Sequence, residues 1–214
     1  VAFRVPAERL AVARRAQATI LALGAVLGVL FLPFGVWIIT AGEGAGYLFL
    51  ALGAVALIAP AVTTSRWRRN LRQAVGVDAV VFAVDRDRLM VGAYGEVPWS
   101  SIAAVTFRDE RTSVRTSGTA ASVGTMYGKK IRDRGGASEM DVLVTLVPAA
   151  ASHTATLAGD ARAMLRDVDG SEVLSLPFGA VLPVEPFHDA YRAVEAVAMS
   201  RGVPLTYDDK KERL

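Results

Sequence analysis

Residues 96–105 read Glu96-Val97-Pro98-Trp99-Ser100-Ser101-Ile102-Ala103-Ala104-Val105. Two serines behind a Pro-Trp pair invite a catalytic reading, yet the same residues read well as the start of a β-strand. Proline interrupts a hydrogen-bonded ladder, and Ile102, Val105 and Phe107 then supply the apolar anchors of a strand about seven residues long. A nucleophilic Ser100 or Ser101 would need a base. The two histidines are His153, in a polar stretch, and His188, on a predicted helix beside Asp189, and no Gly-x-Ser-x-Gly elbow surrounds either serine. Adjacent helical residues project from different sides of a turn, so His188 and Asp189 do not form a working pair. The stretch is therefore expected to be architecture: Pro98 ends one ladder, Trp99 covers one end of the folded unit, and Ile102 with Val105 enters the core.

On either side of it the chain reads as strands. Residues 78–84 form a β-branched and aromatic run, Asp85-Arg86-Asp87 a turn, and residues 88–94 the returning strand, with residues 95–98 breaking the pattern. Residues 108–139 are rich in glycine and read as a long hairpin or insertion. A strand is expected over 139–147, ended by Pro148. Residues 161–168 and 171–177 flank Asp169-Gly170, a strong hairpin signal. A closing helix follows from Pro186, with Phe187, Tyr191, Val194 and Ala198 on one face beside Ala190 and Val197, and Gly202 and Pro204 at its end.

Upstream, the distribution of charge decides the organisation. No charged side chain occurs from Ala16 to Gly42 or from Gly44 to Ser65, and Glu43 alone separates the two runs. Each exceeds the roughly 20 residues a helix needs to cross about 30 Å of hydrocarbon. The competing readings are a buried helical hairpin in a soluble core and a signal peptide cleaved near Thr40-Ala41-Gly42; the length of the runs and their immediate succession favour two spans. Arg4, Arg9, Arg14 and Arg15 precede the first span, and Arg66, Arg68, Arg69 and Arg72 follow the second. Flanks rich in Lys/Arg stay in the cytosol, so both termini are expected there. Trp37 and Tyr47 then fall at the outer interface and Trp67 at the inner one. Gly24 and Gly28 are spaced to let another helix approach closely, the second span being the obvious partner and a second copy of the chain the alternative. Neither span carries an ionisable residue, which suits an anchor and argues against an ion pathway.

The basic balance has a local origin. Residues 1–72 hold eight of the 24 Lys+Arg against two of the 21 Asp+Glu, and the remainder is slightly acidic, so the high isoelectric point is no argument for nucleic acid. The absence of cysteine excludes disulfides and thiolate metal sites. Two distant histidines leave no ligand cluster, and no metal or cofactor is expected. Twenty arginines against four lysines suggest a GC-rich bacterial gene.

Strands first and one closing helix last is an order that resembles the pleckstrin-homology-like (PH-like) barrel. Glu96 to Val105 is similar to the V/I-P-W-x-x-I-x-x-V segment of bacterial membrane proteins that carry a PH-like domain behind a pair of membrane helices. The resemblance implies a membrane α-helical hairpin followed by an α+β, mostly-β domain: an antiparallel barrel of about seven strands closed by a C-terminal helix. The expected divisions are a basic cytosolic N-terminus (1–15), the hairpin (16–65), a juxtamembrane linker (66–77), the PH-like domain (78–202) and a tail (203–214). It further implies a binding or scaffold module at the cytoplasmic face of the inner membrane, not an enzyme, with membrane lipids, an unidentified protein or a second copy of the chain as partners. Binding in such a domain is expected at loops or an exposed strand edge.

Two further segments carry candidate chemistry. Gly124-Thr125-Met126-Tyr127-Gly128-Lys129-Lys130 has three residues between its glycines and lysine where a Mg²⁺-binding Ser/Thr should stand, so it is no Walker loop. Arg108, Arg111, Arg115, Lys129, Lys130, Arg132 and Arg134 concentrate cations with only Asp109, Glu110 and Asp133 among them. Contact with an anionic partner, a lipid headgroup or small ligand, is the functional reading of this patch; a solvated loop on an Arg-rich protein is the competing one.

Overall fold

The computed structural model describes residues 1–111, 132, 134–148 and 159–209. Two helices, α1 (Ala7–Thr40) and α2 (Gly46–Ala74), form an antiparallel hairpin. Both are long and apolar enough to cross a membrane. In their most apolar 18-residue windows only 17% and 11% of residues are buried, and Leu23, Val29, Leu48 and Ile58 stand open on the outside. A soluble core helix buries its apolar surface; these leave theirs unpartnered.

Small residues seat the pair. A Cβ on Gly24 would lie 2.5 Å from the Ala56 carbonyl oxygen, and one on Gly28 2.5 Å from Leu57 Cδ2. Pro60 lacks the N–H that would bond the Ala56 carbonyl, so Gly24 packs against a backbone oxygen without its helical donor. Farther along, Gly35 and Gly46 meet backbone to backbone. Both helices outrun the charge-free runs. α1 starts at Ala7 and α2 continues to Ala74, so most of the segment expected as a linker is helix.

Among the described residues, the β-domain holds nine strands in two sheets. The first has the order β1-β2-β3-β4, from β1 (Ala2–Arg4), β2 (Val80–Val84), β3 (Arg88–Val91) and β4 (Gly95–Pro98). The second has the order β7-β8-β6-β5-β9, from β5 (Ile102–Asp109), β6 (Met140–Leu146), β7 (Leu165–Val168), β8 (Ser171–Leu176) and β9 (Leu205–Asp209). No closed barrel joins them among the described residues, which corrects the expected closed barrel of about seven strands. Two of the strands not expected come from the chain ends. β1 pairs antiparallel with β2, and β9 runs parallel to β5, with Val105 opposite Leu205 and Phe107 opposite Tyr207. Three residues, or a strand ending in two aspartates, carry too little alternation to announce themselves.

Three local expectations are also corrected. Residues 95–98 do not break the ladder: Glu96 faces Met90 and Pro98 faces Arg88 at the end of β4. The strand expected from residue 78, β2, begins at Val80, because Asp78 and Ala79 have positive φ and form a turn. Residues 159–162 make one helical turn, α3 (Gly159–Arg162), ahead of a shorter β7.

Elsewhere the local chemistry determines the structure directly. Asp169 and Gly170 both have positive φ between Val168 and Ser171, the demand of a tight two-residue hairpin. The closing helix, α4 (Val184–Arg201), ends with Gly202 left-handed and the Val203 N–H bonded to the Ala198 carbonyl. It buries Phe187, Ala190, Val194 and Ala198 and packs on β2 and β9, spanning both sheets. Phe82, Phe107, Phe178 and Phe187 form the aromatic centre of the core, with neighbouring ring centroids 5.2–6.3 Å apart. Trp99 is 2% exposed, in a helical turn between β4 and β5, and its Nε1 donates to the Asp85 carbonyl at 3.0 Å. It thereby ties the β2–β3 turn to the passage from one sheet to the other.

Candidate functional site

The feet of the two helices are bound into the β-domain. Gln17, 2% exposed, donates from Nε2 to the Gly135 carbonyl at 2.8 Å and accepts from Arg68 Nε at 3.3 Å. One amide thus links α1, α2 and the segment that leads into β6. Gly135 lies flat against Trp67, where a Cβ would come within 2.2 Å of the indole. On the next turns, Gln73 Nε2 donates to the Ala163 carbonyl at 3.1 Å, and Gly92, with positive φ, sits against the Gln73 carbonyl. Ala74 is fully buried.

Beside this junction lies a cleft of about 780 Å³. α1 contributes Leu10, Arg14 and Gln17, at spacings i, i+4 and i+7. α2 contributes Arg68, Leu71 and Arg72, with Val75 just past its end, at i, i+3, i+4 and i+7. Such spacings put each set on one helix face. Ala93 and Asp160 complete the wall from the domain side. Three guanidinium groups therefore meet one carboxylate, and the Arg72–Asp160 pair is long, 3.5 Å, with both side chains substantially exposed. An ion pair in that setting contributes little, so the cleft stays cationic above an apolar floor.

A second, smaller cavity of about 100 Å³ is polar. Asn70, Gln73, Ser138, Asp141, Arg166 and Ser175 line it. Burial pushes the Asp141 carboxyl above its ordinary range, opposed by a hydrogen bond from Ser138, whose Oγ lies 2.7 Å away, and by the charge of Arg166.

The cationic patch of the 108–134 region divides. Arg108 faces Glu110 and Asp208 at 3.9 and 3.8 Å. Arg111 forks onto Asp109, which is 1% exposed, through Nε and Nη2. Arg132 pairs with Glu139, and Arg134 is exposed. Arg115, Lys129 and Lys130 lie outside the described residues. Three of the four described cations thus already hold carboxylates, and the Asp109–Arg111 pair is a joint between β5 and β9: the Tyr207 hydroxyl donates to Asp109 at 3.4 Å. Burial and the repulsion of Asp109 push the Tyr207 phenol up to about 12.

Gly24 and Gly28 lie inside the hairpin, against Ala56 and Leu57, not on its outer surface. Ser100 is exposed, and His188 stacks on Tyr207 at 5.9 Å. His153 lies outside the described residues. Among the described residues no group of three or more His, Cys, Asp or Glu is placed to hold a metal ion. Three of the arginines at the helix feet, which the sequence marks as topology signals that also attract anionic headgroups, are gathered by the fold into a cleft.

No family model matches the chain, and no curated protein or solved structure matches it.

Proposed function

We propose that the chain is a membrane-anchored binding platform: α1 and α2 span the cytoplasmic membrane of a bacterium, with both termini in the cytosol, and the two-sheet domain is a PH-like module held at the inner surface. The observation that carries this is the continuity of the helices. Their outward apolar faces run without a break into arginine-bearing feet, and those feet are hydrogen-bonded to the domain through Gln17 and Gln73. A domain fixed in this way presents the same face to the membrane at all times. The run of strands β2 to β8 ahead of a helix that packs on both sheets supports the PH-like reading.

The domain's task in this proposal is to bind a protein, or a second copy of itself, by strand addition. β7 and β9 terminate the second sheet, and edge strands offer unpaired backbone donors and acceptors. β7 is the better candidate, since Arg166, Asp167 and Val168 are all exposed. The test is photo-cross-linking in native membranes from Arg166 and, as a control, from Arg192 on the exposed side of α4. An adduct formed from Arg166 and not from Arg192 supports the platform; equal adducts, or none, contradict it.

A further inference from the structure

We propose that the cleft at the helix feet is a binding site for an acidic phospholipid, with its headgroup phosphate held among Arg14, Arg68 and Arg72 and an acyl chain rising along the apolar surface of the hairpin. The proposal rests on the membrane-spanning reading of α1 and α2.

Depth comes first. Arg14 lies two residues before the first charge-free run and Arg68 three residues after the second, so at 1.5 Å per residue both stand within about 5 Å of the hydrocarbon boundary. Lipid phosphates occupy that level. Charge comes second. Arg14 has no carboxylate partner among the described residues, Arg68 bonds only the neutral amide of Gln17, and Arg72 shares a weak pair with Asp160. Guanidinium groups from two helices can grip phosphate oxygens with fork geometry. Third, the site is built. Gln17 is buried on the membrane side of Arg68 and orients it, while Leu10, Leu71 and Val75 line the cytosolic side of the cleft beneath the headgroup. A soluble anion would use the same arginines and gain nothing from the apolar hairpin surface on their membrane side, where Leu23 and Val62 are exposed. Basic pockets between spans on the cytosolic side are a general means of holding acidic headgroups.

The double variant Arg14→Gln/Arg72→Gln removes two of the cleft's three guanidinium charges while leaving the Arg68–Gln17 bond intact. Arg15→Gln/Arg69→Gln removes the same charge, within one helical turn of the same depth, from residues that do not line the cleft. Full-length protein in a neutral detergent is titrated with phosphatidylglycerol, with phosphatidylcholine and with inorganic phosphate, and bound lipid is counted by native mass spectrometry. Phosphatidylglycerol should bind, and the Arg14/Arg72 variant should lose about ten- to thirtyfold in affinity, each arginine near the surface being worth about a factor of five. The Arg15/Arg69 variant should stay close to wild type. Equal losses in both variants, or equal binding of phosphatidylcholine, overturn the site. Inorganic phosphate that displaces the lipid at matching concentration overturns the lipid as occupant. Membrane fractions washed with alkaline carbonate separate the two levels: release of the chain contradicts the spanning reading and the site with it, whereas retention leaves the lipid titration to decide the site alone.

Discussion

Gln17 Nε2 donates to the carbonyl oxygen of Gly135 across 118 positions of sequence, and this buried bond fastens the first helix to the β-domain. The same side chain accepts from Arg68. Replacing Gln17 with Leu keeps the volume and leaves the buried Gly135 carbonyl without its donor. The expected cost is about 1–3 kcal/mol, the penalty for leaving buried polar groups unpaired. Thermal unfolding of the full chain in detergent reads it; an unchanged midpoint would show that the amide carries no part of the junction.

The glycine seam makes a graded prediction. At Gly24 the obstacle to a Cβ is the Ala56 backbone oxygen, and at Gly28 it is the tip of the Leu57 side chain. Backbone cannot give way as a leucine rotamer can. Gly24→Ala should therefore destabilise the hairpin more than Gly28→Ala, while Gly44→Ala, with nothing within 4 Å of the new Cβ, should be neutral. The order of the three melting temperatures checks it.

Asp141 sets a pH dependence. Burial raises its carboxyl above the ordinary value, so the native chain holds this proton to higher pH than the unfolded chain does. Its contribution carries no cost below about pH 4 and grows less favourable as pH rises through the window above that. Asp141→Asn keeps an oxygen for Ser138 and removes the buried charge. The variant should gain stability relative to wild type as pH rises above about 4. A difference constant with pH would contradict the assignment.

The joint between β5 and β9 has a spectroscopic signature. Tyr207 is held up to about 12, so Tyr207→Phe should remove the corresponding step from an ultraviolet titration of the phenols. Arg111→Ala should cost about 1–3 kcal/mol, because the buried Asp109 carboxylate loses its fork. Denaturant unfolding of both variants separates the charge from the hydroxyl.

The two helices, the β2–β3 hairpin, the Asp169-Gly170 turn and the closing helix were all legible in the sequence, since each is specified by neighbours within a few residues. Charge-free length, turn chemistry and a 3.6-residue apolar period are local signals. Pro98, Trp99 and Ile102 likewise marked the passage into β5, where Trp99 is buried. β1 and β9 were hidden because their pairing is remote: Phe3 finds Phe82, and Tyr207 finds Phe107. β4 was hidden by Gly95 and Pro98, which a short edge strand tolerates. The cleft was hidden for the same reason of distance. Arg14 and Arg72 lie far apart in the chain, and only the antiparallel packing of the helices brings their faces together.

The absence of cysteine allows the central claim to be tested by labelling without background. Glu43→Cys lies in the loop between the helices and Asp169→Cys at the tip of the β7–β8 hairpin. With a membrane-impermeant maleimide, the loop cysteine should react in intact cells and the hairpin cysteine only after lysis. Reaction of the hairpin cysteine in intact cells, or of the loop cysteine only after lysis, would contradict a two-span anchor with its domain in the cytosol.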